Sequence, residues 1–167
     1  MTTDKIYLVG FMAAGKTTVA RALGRRLGWR AEDLDELIEA RERKSVAEIF
    51  ARQGEPHFRS VERDILKLLL PLRHVVVATG GGTFMDPENR AAMNMDGLSI
   101  WLDVPFESLL ARIPADGRRP LAADRAQMER LFIARQAAYT QAHIRVDAGT
   151  AGAEAIAEQI ADKVATL

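Results

Sequence analysis

The strongest constraint on the fold is Gly10-Phe-Met-Ala-Ala-Gly15-Lys16-Thr17, a G-x-x-x-x-G-K-S/T run at the end of an apolar stretch, Ile6 to Val9. Val19, Leu23 and Leu27 follow at four-residue spacing, the period of a helix, and Gly28 is a natural stop. Strand, glycine-bearing loop and helix in that order form a concavity of backbone N–H groups facing one point, backed by the positive end of a helix. Such a cradle suits the phosphates of a nucleotide. Lys16 reaches the β- and γ-phosphates, and Thr17 offers its hydroxyl to Mg²⁺. Ala13, Ala14, Gly15 and Thr18 complete the nucleotide-binding stretch. The motif does not specify which reaction follows.

The remainder of the chain suits a strand that feeds a helix. Apolar runs recur at Ile6 to Val9, weakly from Trp29 to Asp35, then Val75 to Thr79, Ile100 to Val104 and Ile144 to Val146. Helical stripes lie between them: Val46, Ile49 and Phe50, stopped at Gly54; Phe58, Val61, Ile65 and Leu68 or Leu69, closed by Pro71; and Ile156, Ile160 and Val164 at the end. Pro105 suits a first helical turn before Leu109 and Leu110. This alternation predicts an α/β architecture, a five-stranded parallel sheet with helices on both faces. Ligands in such folds bind beyond the carboxyl ends of the strands. At 167 residues with 48% hydrophobic side chains, one domain with a full core is expected over 1–167.

Several function classes are excluded early. Lys plus Arg balance Asp plus Glu at 23 each, so binding of nucleic acid through bulk phosphate neutralisation is not expected. The absence of Cys excludes disulfides, thiolate zinc sites and a Cys nucleophile. The opening MTTDKIYLVGF is too short in its apolar part for a signal peptide, and no stretch approaches a membrane span. His57, His74 and His143 show no metal-ligand spacing.

The third apolar run ends in Thr79-Gly80-Gly81-Gly82 with no carboxylate, so the metal's second protein partner must come from elsewhere. Asp33-Leu34-Asp35 is the source at hand. In an extended stretch both carboxylates would face one way, toward the site; in the plainer alternative Asp35 caps the helix containing Leu37 and Ile38. The glycine triple is either a close backbone approach to a ligand or a flexible turn. Arg59 and Glu62 either pair on a helix surface or present an Arg fork to a substrate carboxylate. Asp116-Gly117-Arg118-Arg119-Pro120-Leu121 suits a mobile lid, or an ordinary solvated loop. Arg135, on a helix with Leu131 and Tyr139, is a further anion clamp candidate.

From about Ile6 to Asp147 the chain resembles the shikimate kinases of the nucleoside-monophosphate-kinase-like P-loop group. The resemblance rests on GFMAAGKTTV, DLDELI, SVAEIFARQGEPHFRSVE, VVVATGGG, IWLDVP, RRPL and the Arg135 to Tyr139 stretch. The FRxxE, ATGGG and RPL elements, in that order, are far more specific than the phosphate loop alone. The resemblance implies a three-layer P-loop kinase fold with a substrate-binding region near 33–62 and a mobile lid near 113–125. It implies transfer of the ATP γ-phosphate to the 3-hydroxyl of shikimate, with Mg²⁺, on the cytoplasmic chorismate route to aromatic amino acids, by a monomer. Carried over by position, Lys16, Asp35 and Arg119 are the catalytic residues, and Thr17 with Asp33 serves the metal. Asp35 holds a ring hydroxyl and can take its proton. Arg59 and Arg135 clamp the shikimate carboxylate, and the backbone of Gly81 and Gly82 contacts ring hydroxyls. Arg119 descends on the phosphates with the lid, and Arg112 packs near the adenine.

Some positions depart from the family pattern. Ala13 replaces a common glycine, Arg43 and Lys44 stand where a glycine-containing turn is usual, Ala137 replaces a Pro, and the region after Asp147 lacks a Pro. None removes a charged group from the implied chemistry. The alternatives are a related P-loop kinase for another acid, such as gluconate, or for a nucleoside monophosphate, and a slowly hydrolysing nucleotide-binding regulator.

Overall fold

The computed structural model describes residues 3–113 and 125–167, so the lid near 113–125, and Arg119 with it, lies almost wholly outside the described residues. Strand β1 (Lys5–Val9) leads through the Gly10–Gly15 loop into helix α1 (Lys16–Leu27). β2 (Arg30–Asp33), α2 (Leu34–Glu42), α3 (Val46–Leu69) and β3 (Val75–Ala78) follow. A short 3₁₀ turn (Thr83–Met85), α4 (Pro87–Asp96), β4 (Leu98–Asp103) and α5 (Phe106–Arg112) come next. α6 (Arg125–Tyr139), β5 (Ile144–Asp147) and α7 (Ala153–Ala165) complete the chain. The five strands form one sheet in the order β2-β3-β1-β4-β5, every pair parallel. The predicted α/β architecture is the observed one.

All residues of β1 and β3 are buried, whichever way they point, so both faces of the sheet centre are covered. β1 lies between β3 and β4, and the chain moves to one side of it for β2 and β3 and to the other for β4 and β5. The phosphate loop therefore leaves the sheet where the strand order reverses, the position at which open α/β sheets bind ligands. The weak second run is a true strand, but an edge one: β2 pairs only with β3 and is partly exposed, which explains its polar composition.

The two stripes meeting at Gly54 form one long element with a break there. Gly54 adopts φ 82°, ψ 167°, outside the helical region, and Pro56 begins the second half. That half buries Phe58, Val61, Ile65, Leu66 and Leu69. α1 ends as the sequence indicates, with Gly28 in the left-handed conformation. At the opposite end of the sheet from the loop, Lys5 is fully buried. Its ammonium donates to the carbonyls of Leu69 and Leu70, completing the end of α3, and lies 2.7 Å from Asp96 at the end of α4. Tyr7 Oη donates to the same carboxylate at 2.6 Å. Among the described residues no helix is long and apolar enough to cross a membrane.

Candidate active site

The carboxyl ends of β1, β2 and β3 bring the loop, Asp33 and the glycine triple to one edge of the sheet. Gly15 stands at the N-cap of α1 with φ 92°, a backbone open to glycine at little cost, and Val19 N–H already donates to its carbonyl at 2.9 Å. Ala13 carries φ 63°, so the position where relatives commonly hold glycine is a left-handed one that a methyl group occupies under strain. Arg43, at the other departure, likewise has φ 55° at the end of α2. Lys16 is 8% exposed and donates to the carbonyls of Gly10 at 2.6 Å and Phe11 at 2.8 Å. The ammonium is thus folded against its own loop, at the mouth of the concavity.

Asp33 and Asp35 do not act as an extended pair. Asp33 closes β2 and caps α2: its Oδ1 accepts from Glu36 N at 2.9 Å, and its Oδ2 accepts from the Thr17 hydroxyl. Asp35 sits in the first turn of α2 and is not its cap, which corrects the capping alternative. Because a turn of helix separates the two, their carboxylates diverge. Asp33 goes to Thr17, and Asp35 goes to Gly80.

Each glycine of the triple has a site side chain pressed against it. A Cβ on Gly80 would fall 2.9 Å from Asp35 Oδ1, one on Gly81 3.1 Å from an Arg135 guanidinium nitrogen, and one on Gly82 2.3 Å from Arg59. Gly81 also abuts the phosphate loop, its Cβ position being 3.4 Å from Met12 N. The glycines are therefore required for close approach, and the flexible-turn reading does not hold. Sequence reasoning brought Asp35, Arg59, Arg135, Gly81 and Gly82 to one place, and the structure assembles all of them there.

Arg59 Nη1 donates to both oxygens of Glu62 at 3.0 and 3.1 Å, and Nε to Glu55 at 3.4 Å. This is not a surface pair, since Glu62 is 1% exposed. Arg135 is also buried, over the Phe11 ring, and among the described residues no carboxylate forms an ion pair with it. Burial pulls its guanidinium below the ordinary value, and the nearby Arg59 adds to the effect, while Tyr139 opposes it. A buried cation next to a second cation is a site for an anion. Tyr139 Oη donates to Gly81 O at 2.6 Å, and burial pushes its own ionisation upward. Arg112 spans from Ala13 O at 3.5 Å to Ala148 O and Gly149 O at 3.4 Å, bridging the loop to the turn after β5.

Glu62, Thr83 and Tyr139 are the participants sequence reasoning did not assign. Glu62 had a signal: it continues the buried stripe Phe58, Glu62, Ile65, Leu69, so an acidic residue there requires an internal partner. Thr83 had none.

Comparison with known proteins agrees with this geometry. Residues 12–165 match the sequence profile of the shikimate kinase family. The chain is 42% identical over 142 residues to the shikimate kinase of Persephonella marina, covering 84% of this chain and 87% of that one. It is 41% identical over 162 residues to that of Nostoc sp., covering 95% and 87%. The solved shikimate kinase of Acinetobacter baumannii in complex with shikimate superposes with a TM-score of 0.94 at 33% identity, covering 99% of this chain and 94% of that one. A deoxyadenosine kinase from M. mycoides shares the fold alone, with a TM-score of 0.70 at 19% identity. The phosphate loop, the buried arginines and these relatives agree: the chain belongs to the shikimate kinase family.

Proposed function

We propose that this protein transfers the γ-phosphoryl group of ATP to the 3-hydroxyl of shikimate. The observation that carries the reading is the glycine triple. Asp35, Arg135 and Arg59 pack on three successive glycines, and the middle one also touches the phosphate loop. An acceptor with a carboxylate and a hydroxyl is thereby held beside the donor phosphates. Two guanidiniums suit a planar carboxylate, and a nearby carboxylate suits a hydroxyl nucleophile.

Lys16 turns from the Gly10 and Phe11 carbonyls to the β- and γ-phosphates, which also meet the N–H groups of Ala13, Ala14, Gly15, Thr17 and Thr18. Arg59 and Arg135 fix the shikimate carboxylate, the backbone of Gly81 and Gly82 orients the ring, and Arg112 borders the adenine. Asp35 accepts a hydrogen bond from the 3-hydroxyl. As the hydroxyl oxygen bonds to the γ-phosphorus, its proton passes to Asp35, and the bond to the β–γ bridging oxygen breaks to release ADP. Arg119 serves the transferring phosphoryl group from the lid.

Thr17 and Asp33 fit Mg²⁺: a hydroxyl and a carboxylate already meet at the loop, hard oxygen donors beside the phosphates. An Mg²⁺ held by Thr17 and Asp33 would supply positive charge against that of the nucleotide phosphates. The protein acts in this reading as a cytoplasmic monomer on the route to chorismate.

The test is product identity. With ATP, Mg²⁺ and shikimate, ³¹P-coupled NMR should show one phosphate monoester, coupled to the proton on C3. An ester at another ring position, or none, would overturn the assignment.

A further inference from the structure

We infer that Thr83 is a positioning residue for the carboxylate clamp, setting the place of Arg59 through Glu62. The inference rests on the reading of Arg59 as a ligand of the shikimate carboxylate. Thr83 is fully buried, and its hydroxyl has two partners: it accepts from Gly80 N–H at 2.9 Å and donates to Glu62 Oε2 at 2.8 Å. Glu62 in turn accepts from Arg59 Nη1 through both oxygens. A continuous chain of hydrogen bonds thus runs from the first glycine of the triple to the guanidinium packed on the third.

The geometry leaves little slack. Glu62 holds the guanidinium by two hydrogen bonds, and the same guanidinium packs on the backbone at Gly82, where a Cβ would fall 2.3 Å from Arg59 Nη2. Thr83 is itself anchored: its carbonyl accepts from Asn89 Nδ2 at 3.2 Å, and its N–H donates to Gly80 O at 3.3 Å. The hydroxyl therefore ties the buried Glu62 carboxylate to an anchored 3₁₀ turn. Valine has nearly the same shape but no hydroxyl, so Thr83→Val takes the acceptor from a buried Gly80 N–H and leaves Glu62 Oε2 with Arg59 Nη1 but without its link to the 3₁₀ turn. Glu62 gains a rotamer, and Arg59 follows it.

The test compares Thr83→Val and Thr83→Ser with wild type by steady-state kinetics and by amide hydrogen exchange at Gly80 without substrate. Thr83→Val should raise the shikimate KM by about tenfold, the scale of one buried hydrogen-bond defect, and leave the ATP KM unchanged. Gly80 N–H should exchange faster, and Thr83→Ser, which restores the hydroxyl, should return both values to wild type. A wild-type shikimate KM in Thr83→Val, with Gly80 exchange accelerated, would show that the bridge exists but does not position the clamp. Equal rises in both KM values that serine does not rescue would reduce Thr83 to a packing residue. Failure of the wild type to release ADP with shikimate would remove the functional reading and the inference with it. Gly80 exchange separates that failure from a missing bridge.

Discussion

Gly82→Ala offers a perturbation confined to one guanidinium. The backbone at Gly82 has φ −104° and ψ −3°, which alanine adopts without strain, so the fold should be retained. The new Cβ would stand 2.3 Å from Arg59 Nη2 and 2.8 Å from Cζ and Nη1. Relief requires the guanidinium to move by about 1 Å, because carbon and nitrogen settle at roughly 3.5 Å. The Arg59–Glu62 bonds at 3.0 and 3.1 Å cannot keep their geometry through such a shift, and the guanidinium leaves the place from which it meets the substrate carboxylate. Loss of a charge-assisted contact to the substrate carboxylate costs about 1.5–3 kcal/mol, roughly a 10- to 100-fold rise in the shikimate KM. The methyl group faces neither Lys16 nor Thr17, so the ATP KM should hold. A coupled ADP-release assay reads both constants, and Tm checks the fold. The decisive control is Arg59→Ala, which by itself should raise the shikimate KM by a similar factor. Once Arg59 is truncated, the added methyl has nothing to strike, so the double variant should match Arg59→Ala. A folded Gly82→Ala with wild-type shikimate KM, or full additivity in the double variant, would refute the packing of Arg59 on the glycine triple.

Lys16→Met should abolish transfer while the protein stays folded, measured by ADP release and Tm, because methionine fills similar space without the charge that neutralises the phosphates. Asp35→Asn should cut kcat by about 100-fold, the lower range for a positioned base, with ADP affinity by calorimetry nearly unchanged; an unchanged kcat would remove Asp35 from the chemistry. Asp96→Asn should lower stability at neutral pH by about 3 kcal/mol, since it takes the countercharge from the buried Lys5 ammonium and leaves it only the Leu69 and Leu70 carbonyls, and lower Tm by roughly 8 °C. Burial pushes Asp96 up, but hydrogen bonds from Lys5, Tyr7 and Arg73 outweigh it and hold the folded value below the ordinary carboxylate range. Its contribution is therefore complete above the unfolded value of about 4 and is lost as pH falls through the folded one, so the Tm gap to Asp96→Asn should narrow in acid and stay level from neutral pH upward.

The helix and strand sequence was legible because most elements keep one hydrophobic period throughout. The edge strand β2 was legible only weakly, since Arg30 to Asp33 pair on one side and meet solvent on the other. Lys5 lay outside the sequence-derived strand because lysine reads as solvated; its burial depends on Asp96 and two helix-end carbonyls that are remote in sequence. Asp33 and Asp35 were given separate tasks by resemblance to a family, but the residue pattern alone did not divide them, because alternation assumes an extended chain and the helix begins at Leu34. The arginine clamp was legible by resemblance to a family. Residue patterns alone left Arg59 and Glu62 as either a helix-surface pair or an Arg fork for a carboxylate, and only the fold shows the pair packed against Gly82. Thr83 could not be read at all, since a threonine after three glycines carries no periodic or charge signal.

The most direct measurement is ADP release with ATP and Mg²⁺ in the presence of shikimate, gluconate, quinate or no acceptor. Stimulation by shikimate alone is expected, because the clamp requires the carboxylate and Asp35 requires the ring hydroxyl in one rigid spacing. Stimulation by gluconate or quinate in its place would contradict the substrate assignment, and nucleotide binding with no stimulation by any acceptor would contradict the kinase account itself.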